Sequence, residues 1–186
     1  MNLSEEEKQF LLTAARNSIR SQFENISLPE PDYTIYPNLK ANAGAFVTLT
    51  SDGSLRGCIG FIVSDKPLYE TVCDAAVHAA FEDPRFVPLS KNELSRINIE
   101  ISVLSPPAPV QSYDEIQIGK HGLILNERHR ALLLPQVATE HNMNRDEFLS
   151  ALCEKAGIDK FTWKQRKLNL MVFTADVFSE KERSKV

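Results

Sequence analysis

The sequence predicts an α+β protein whose mainly antiparallel sheet is flanked by helices, and three observations carry that prediction. Asp52-Gly53 separates two strand-like runs, a strong two-residue hairpin signal. Ile97, Ile99, Ile101 and Val103 alternate with Asn98, Glu100 and Ser102, the pattern of a strand with one buried face. Segments of helical period lie between such runs, the first opened by the capping box Ser4-x-x-Glu7. Helices and strands are interspersed while hairpin signals dominate, and that combination is the α+β pattern.

The elements follow in chain order. The first helix runs to about Phe23, with Phe10, Leu11, Ala14, Ala15 and Ile19 as its apolar stripe. Residues 29–42 contain Pro29, Pro31 and Pro37 and read as an irregular crossing. Ala45 to Thr50 forms the first hairpin arm; the second carries Leu55-Arg56-Gly57-Cys58-Ile59-Gly60 and continues to Val63. A turn this tight sets Cys58 opposite Val47 and Arg56 opposite Leu49. Pro67 suits the first turn of a helix reaching about Glu82, whose Ala75, Ala76, Ala79 and Ala80 permit close packing. Asp83-Pro84-Arg85-Phe86 stops that helix, with Phe86 expected to plug the core. Pro106 and Pro107 end the alternating strand. Residues 116–134 read as short strands with a turn near Asn126-Glu127-Arg128, and a short helix follows Pro135. Another helix spans about Arg145 to Ala156 and ends at Gly157. A last strand covers Leu168 to Phe178, before a charged tail from Ser179 to Arg183.

Composition bounds the function. A chain of 186 residues can bury one sizeable core, or build two unequal lobes that share one. Its 42% apolar and 25% charged residues are those of a soluble globular protein. A net charge of −4 counts against a general nucleic-acid binder. No apolar run approaches the ~20 residues that span a bilayer. The acidic start Met1-Asn2-Leu3-Ser4-Glu5-Glu6-Glu7 lacks the basic and apolar regions of a signal peptide. Cys58, Cys73 and Cys153 are odd in number and unrelated in spacing, which points to a reducing compartment, so the cytoplasm is the expected location. No Cys/His spacing suits structural zinc, and no phosphate-loop, dinucleotide or nucleophile-elbow pattern occurs, so neither metal nor cofactor is expected.

The chemistry-bearing stretch is Leu55 to Gly60. Residues two apart in a strand share a face at a repeat of about 6.6–6.8 Å, so Arg56 stands beside Cys58. Arg56 remains a cation at any working pH and can anchor an anion through its fork or lower the Cys58 pKa toward a nucleophilic thiolate. Gly57 and Gly60 admit the close approach of a ligand or of another backbone. The plainer alternatives are a small packed thiol against Val47 with the glycines marking a bulge or strand crossing, and an Arg56 salt bridge to Glu82, Asp83 or Glu100. Glu100 can orient Arg56 or serve as an acid or base. His121, between Lys120 and Gly122, is either a proton carrier for Cys58 or a turn histidine. The alternative to a plain helix stop at Asp83 to Phe86 is one lip of a cleft at which Arg85 and Phe86 touch a ligand; for Phe86 the core position is the preferred reading. Cys73 and Cys153 fall on core-facing helical positions. His78, His129 and His141 receive no role. Lys164, Arg166 and Lys167 beside Phe161 and Trp163 make a small basic-aromatic patch, read as a solvated strand start rather than a nucleic-acid surface.

Six ordered blocks resemble the AMMECR family, whose prokaryotic members are called AmmeMemoRadiSam system protein A. They are Gly44 to Leu49, Leu55 to Gly60, Ala79 to Phe86, Glu100 to Pro107, Gly119 to Ile124 and Leu134 to Ala138, spread over roughly residues 5–180. One departure is Met143, near which the family usually has a tryptophan; it affects local packing only. The resemblance implies a single domain over 1–186 with two sublobes, a cleft between them lined by the hexapeptide, and an association with Memo-like and radical-SAM proteins. It implies no particular reaction. The expected function is therefore a cytoplasmic accessory or binding protein. Its cleft takes a small anionic ligand or a protein partner, with Arg56, Gly57, Gly60, Arg85 and Glu100 as contacts. The alternative is a thiol-dependent enzyme with Cys58 as nucleophile, activated by Arg56 and His121.

Overall fold

The computed structural model describes residues 3–180, so of the charged tail expected from Ser179 to Arg183 only Ser179 and Glu180 are described, and residues 181–183 lie outside the described residues. In chain order these residues form α1 (Glu5–Ser21), β1 (Ala45–Ser51), β2 (Ser54–Phe61), α2 (Leu68–Phe81) and β3 (Ile97–Leu104). There follow β4 (Ala108–Pro109), β5 (Gly122–Asn126), β6 (Arg130–Leu133), α3 (Pro135–Glu140), α4 (Arg145–Lys155), α5 (Thr162–Gln165), β7 (Leu170–Phe173) and β8 (Ala175–Ser179). Two compact units result: the chain through Leu104 with the stretch from Asp176, and Ser105–Ala175.

The first unit is built on a sheet of order β2-β1-β3-β8. Alternation puts Ala45, Val47 and Leu49 of β1 and Ile97, Ile99, Ile101 and Val103 of β3 on one face, all buried against α1 and α2 in one core. Ser4 caps α1 as its sequence predicts, in a complete capping box with Glu7. The buried Glu7 carboxylate also accepts from the backbone N and the side-chain Nδ2 of Asn38, which fastens the proline-containing crossing to the helix. Arg16 clamps the far end of the unit: it donates to the Leu94 and Ile97 carbonyls and pairs with Glu180 just after β8.

The hairpin turn is as predicted, with Asp52 at φ 50° and Gly53 at φ 78°, the doubly positive geometry of a tight two-residue turn. The register beyond it is not. Thr50 pairs with Leu55 and Leu49 with Gly57, so Arg56 is the extra residue of a β-bulge. From there on the pairing is shifted by one, and Cys58 faces Thr48 while Ile59 faces Val47.

The second unit carries a sheet of order β4-β7-β5-β6. Leu123, Leu125, Leu133, Leu168 and Leu170 pack with Phe148, Leu149, Leu152 and Cys153 of α4 in a separate core, with Met143 half-buried at its margin. The single last strand expected from residue 168 is two. At Thr174 the backbone leaves the ladder: its carbonyl accepts from the Ser105 amide at 2.9 Å and its amide donates to Ser105 Oγ at 2.9 Å. β7 therefore joins the second sheet and β8 the first. No helix among the described residues is long and apolar enough to cross a membrane.

Candidate functional site

β2 is an edge strand, and what covers its edge defines the site. Gly57 is buried, and a Cβ built there would lie 2.1 Å from the Ala79 carbonyl oxygen of α2. The helix thus rests directly on the strand because Gly57 has no side chain. At Gly60 a Cβ would meet the Ala45 carbonyl oxygen at 2.3 Å and Phe46 Cα at 2.5 Å. Both glycines serve the approach of neighbouring backbone.

This close contact brings the end of α2 onto the strand edge. Asp83, only 2% exposed in its side chain, accepts the outward-turned Cys58 amide at 2.9 Å. The same carboxylate closes an Asx turn on the Arg85 amide at 3.1 Å and takes Arg85 Nε at 3.0 Å and Nη2 at 2.7 Å. Hydrogen bonding from Arg85 holds the Asp83 carboxyl far below the usual carboxylate range, against the opposing effect of burial. Asp83 in turn strengthens Arg85 as a cation, with a smaller contribution from the neighbouring Cys58.

Arg56 is engaged, but with none of the three acids anticipated. Its Nε reaches Glu93 Oε1 at 2.7 Å and its Nη2 reaches Oε2 at 3.3 Å. Arg56 thereby pulls the Glu93 carboxyl down to about 2. Glu93 also receives the Ser90 amide and hydroxyl, each at 2.8 Å. Ser90-x-x-Glu93 is a capping-box spelling, so the preorganised acid could have been read from sequence. Asp83-Pro84 after a helix end is a comparable turn signal.

Phe86 does not plug the core. It is half-buried, with the Arg85 guanidinium 5.4 Å and the Arg56 guanidinium 6.0 Å from its ring centroid. Two cations thus converge on one aromatic ring. Each uses its Nε/Nη2 side on its own carboxylate, and among the described residues no hydrogen bond engages either Nη1. Arg85 is 54% exposed, and Leu55 and Val87 beside the two arginine-bearing segments are 44% and 77% exposed.

Cys58 is half-exposed on the sheet face opposite the α1/α2 core, with Thr48 Oγ1 3.3 Å from its Sγ. Thr48 also pairs in register with Glu100, so Cys58, Thr48 and the half-buried Glu100 form one row across β2, β1 and β3. The first unit thus brings together Arg56, Cys58, Arg85 and Glu100, and adds Thr48, Asp83 and Glu93. His121 belongs to the second unit, where its backbone amide donates to the Gln117 carbonyl and its Nδ1 accepts from the Gln117 amide at 3.3 Å. Burial, then the adjacent Lys120, lowers its pKa, which favours the neutral ring. Among the described residues no cluster of three or more His, Cys, Asp or Glu side chains could hold a metal ion.

Known proteins share this chain's organisation. It is 39% identical over 189 residues to a protein of Methanosarcina barkeri, covering 97% of this chain and 93% of that one. It is 40% identical over 176 residues to a protein of Thermoplasma acidophilum, covering 90% and 84%. It is similar to the crystal structure of the uncharacterized protein PH0010 from Pyrococcus horikoshii, with a TM-score of 0.87 and 34% identity over 96% of this chain and 94% of that one. The α+β reading is borne out by that structure. A family model described as AMMECR1 matches residues 12–178, in agreement with the resemblance carried by the six sequence blocks. The chain belongs to the AMMECR1 family.

Proposed function

We propose that the protein is a binding module whose recognition surface is the Arg56–Phe86–Arg85 cluster at the edge of β2, and that it takes an anionic group on a small ligand or a protein partner. The observation that carries this reading is the convergence of two guanidinium groups on the Phe86 ring, at 6.0 Å and 5.4 Å. Asp83 and Glu93 hold both cations in fixed orientation, so little side-chain entropy is left to lose on binding. The exposed Leu55 and Val87 suit a protein-borne anion, since arginine and aromatic anchors dominate binding energy at interfaces. Glu100 and Cys58 set the polarity of the neighbouring sheet face. The family resemblance adds Memo-like and radical-SAM proteins as the partners beside which such an accessory would work, in the cytoplasm.

Titration with inorganic phosphate and with acetate, followed through backbone amide shifts, tests this. Saturable shifts at Cys58, Arg85, Phe86 and Val87 are expected, lost in Arg85→Ala and retained in Cys58→Ser. Absence of saturable shifts, or their persistence in Arg85→Ala, would overturn the reading.

A second reading keeps one observation of its own. The Thr48 hydroxyl lies beside Cys58 Sγ, and a hydroxyl donor there would stabilise a nucleophilic thiolate. It ranks second because His121, its intended base, belongs to the second unit and its Nδ1 already accepts from the Gln117 amide. A product covalently attached at Cys58 during turnover, with His121 required, would promote it.

A further inference from the structure

The basic-aromatic patch of the second unit is not a free cationic surface. Arg166 is taken by Glu127 through both Nη groups, at 2.8 Å and 2.6 Å. Lys164 folds back over its own neighbours: its Nζ is 4.8 Å from the Trp163 ring centroid, 5.7 Å from that of Phe161, and 3.9 Å from Asp146 Oδ2. Lys160 approaches the Phe161 ring as well, at 4.9 Å.

Lys160, Phe161, Trp163 and Lys164 border an open groove of about 390 Å³ along α4, where Asp146, Glu147 and Glu154 supply negative charge. Its walls are held in place. Trp163 Nε1 donates to Ser150 Oγ at 3.0 Å, and Tyr113 meets the indole edge-on at 6.0 Å. The Phe161 amide donates to Asp159 at 2.9 Å, while the ring itself is 45% exposed. Glu147 is committed to capping α4 through the Asn144 amide, and the carboxylate that the Lys164 ammonium faces is Asp146. Two aromatic faces and a carboxylate around one ammonium are the elements of a cation cage.

We propose that this groove is a binding site for an alkylammonium cation, with Lys164 as the resident occupant that a ligand displaces. The chemistry is shared by a free quaternary amine and by a lysine side chain on a partner protein. The site lies wholly within the second unit and is independent of the Arg56–Phe86–Arg85 reading.

Trp163 is the only tryptophan of the chain, so its fluorescence reports on the groove alone. Choline, its neutral isostere 3,3-dimethyl-1-butanol and a pentapeptide with one central lysine serve as probes, on wild type, Lys164→Ala and Lys164→Met. Choline is expected to shift the emission saturably in both variants, about tenfold more tightly than in wild type, the scale of one cation–π contact. The alcohol is expected to give no saturable shift, and Asp146→Asn added to Lys164→Ala to weaken choline at least about threefold. Tighter binding of the peptide than of choline assigns the cage to a partner's side chain; the reverse assigns it to a free amine. An equal response to the alcohol, equal affinity in wild type, or no response in variants that keep the wild-type circular dichroism and thermal transition would overturn the proposal.

Discussion

Alanine at Gly57 would place a methyl carbon 2.1 Å from the Ala79 carbonyl oxygen and 3.1 Å from the Ala79 carbonyl carbon. Real Cβ atoms essentially never approach closer than 3.0 Å, so α2 must retreat from β2 by roughly 0.9 Å. The obstruction is backbone on both sides, and no side-chain rotation relieves it. Overpacking of this kind costs about 1–3 kcal/mol, and the upper end applies where backbone must move. For a chain of this size a loss of about 3 kcal/mol lowers Tm by roughly 6–12 °C. The displacement also pulls Asp83 from the Cys58 amide. Scanning calorimetry or a circular-dichroism melt of Gly57→Ala measures the effect. Gly53→Asn is the control: the space there is open and the only cost is the positive φ of +78°, which asparagine tolerates better than other side chains, so a loss of about 1 kcal/mol and a fall in Tm of only roughly 2–4 °C are expected. A Gly57→Ala protein that melts within about 2 °C of wild type would refute the packing argument and return Gly57 to the role of a ligand-approach glycine.

Three further outcomes follow from the same contacts. Hydrogen bonds from Arg56 and Arg166 pull Glu93 and Glu127 down from an ordinary 4.5 to about 2, so both pairs stabilise the fold fully above pH 4.5 and lose that contribution as pH falls toward 2. The urea midpoint should drop between pH 5 and pH 3, and drop less in Arg166→Gln, where Glu127 has lost its cation. In Asp83→Ala the Cys58 amide loses its acceptor while the exposed Arg85 is taken up by water; a cost of about 1–3 kcal/mol for the unsatisfied amide and faster hydrogen exchange there are expected, with Asp83→Asn intermediate. Under native alkylation read by mass spectrometry, half-exposed Cys58 should react first, while Cys153, fully buried and with its thiol pKa raised by burial, reacts only on unfolding. Equal labelling of the two would contradict the packing described.

Local signals in the sequence were strong where a few adjacent residues decide the geometry. The Asp52-Gly53 turn, the Ser4/Glu7 box and the Gly157 stop each depend on backbone within one turn, and each appears where the residues place it. The Ala-rich face of α2 announced close packing on a neighbour, and that neighbour is β2 at Gly57. The glycines of the hexapeptide allowed a bulge, but its position at Arg56 was hidden because period-two alternation carries no mark of an inserted residue. The Arg56–Glu93 pair joins positions 37 apart in sequence, beyond any local pattern, although the Ser90-x-x-Glu93 spelling marked Glu93 as a held carboxylate. The run from Leu168 to Phe178 reads as one strand because alternation does not say which sheet a residue joins. Its break at Thr174 is set by Ser105, far away in sequence. The partners of the basic patch were hidden for a related reason: a count of lysines and arginines cannot show that Glu127 and Asp146 lie opposite them.

The central claim is that Arg56 and Arg85 act as one recognition site through Phe86. A double-mutant cycle on phosphate affinity, with Arg56→Ala, Arg85→Ala and the pair compared by isothermal titration calorimetry, tests it most directly. One shared site predicts that each single change weakens phosphate and that the double change costs less than the two losses together, with a coupling of at least about 0.5 kcal/mol. Losses that simply add, or single variants that bind phosphate as wild type does, would contradict it.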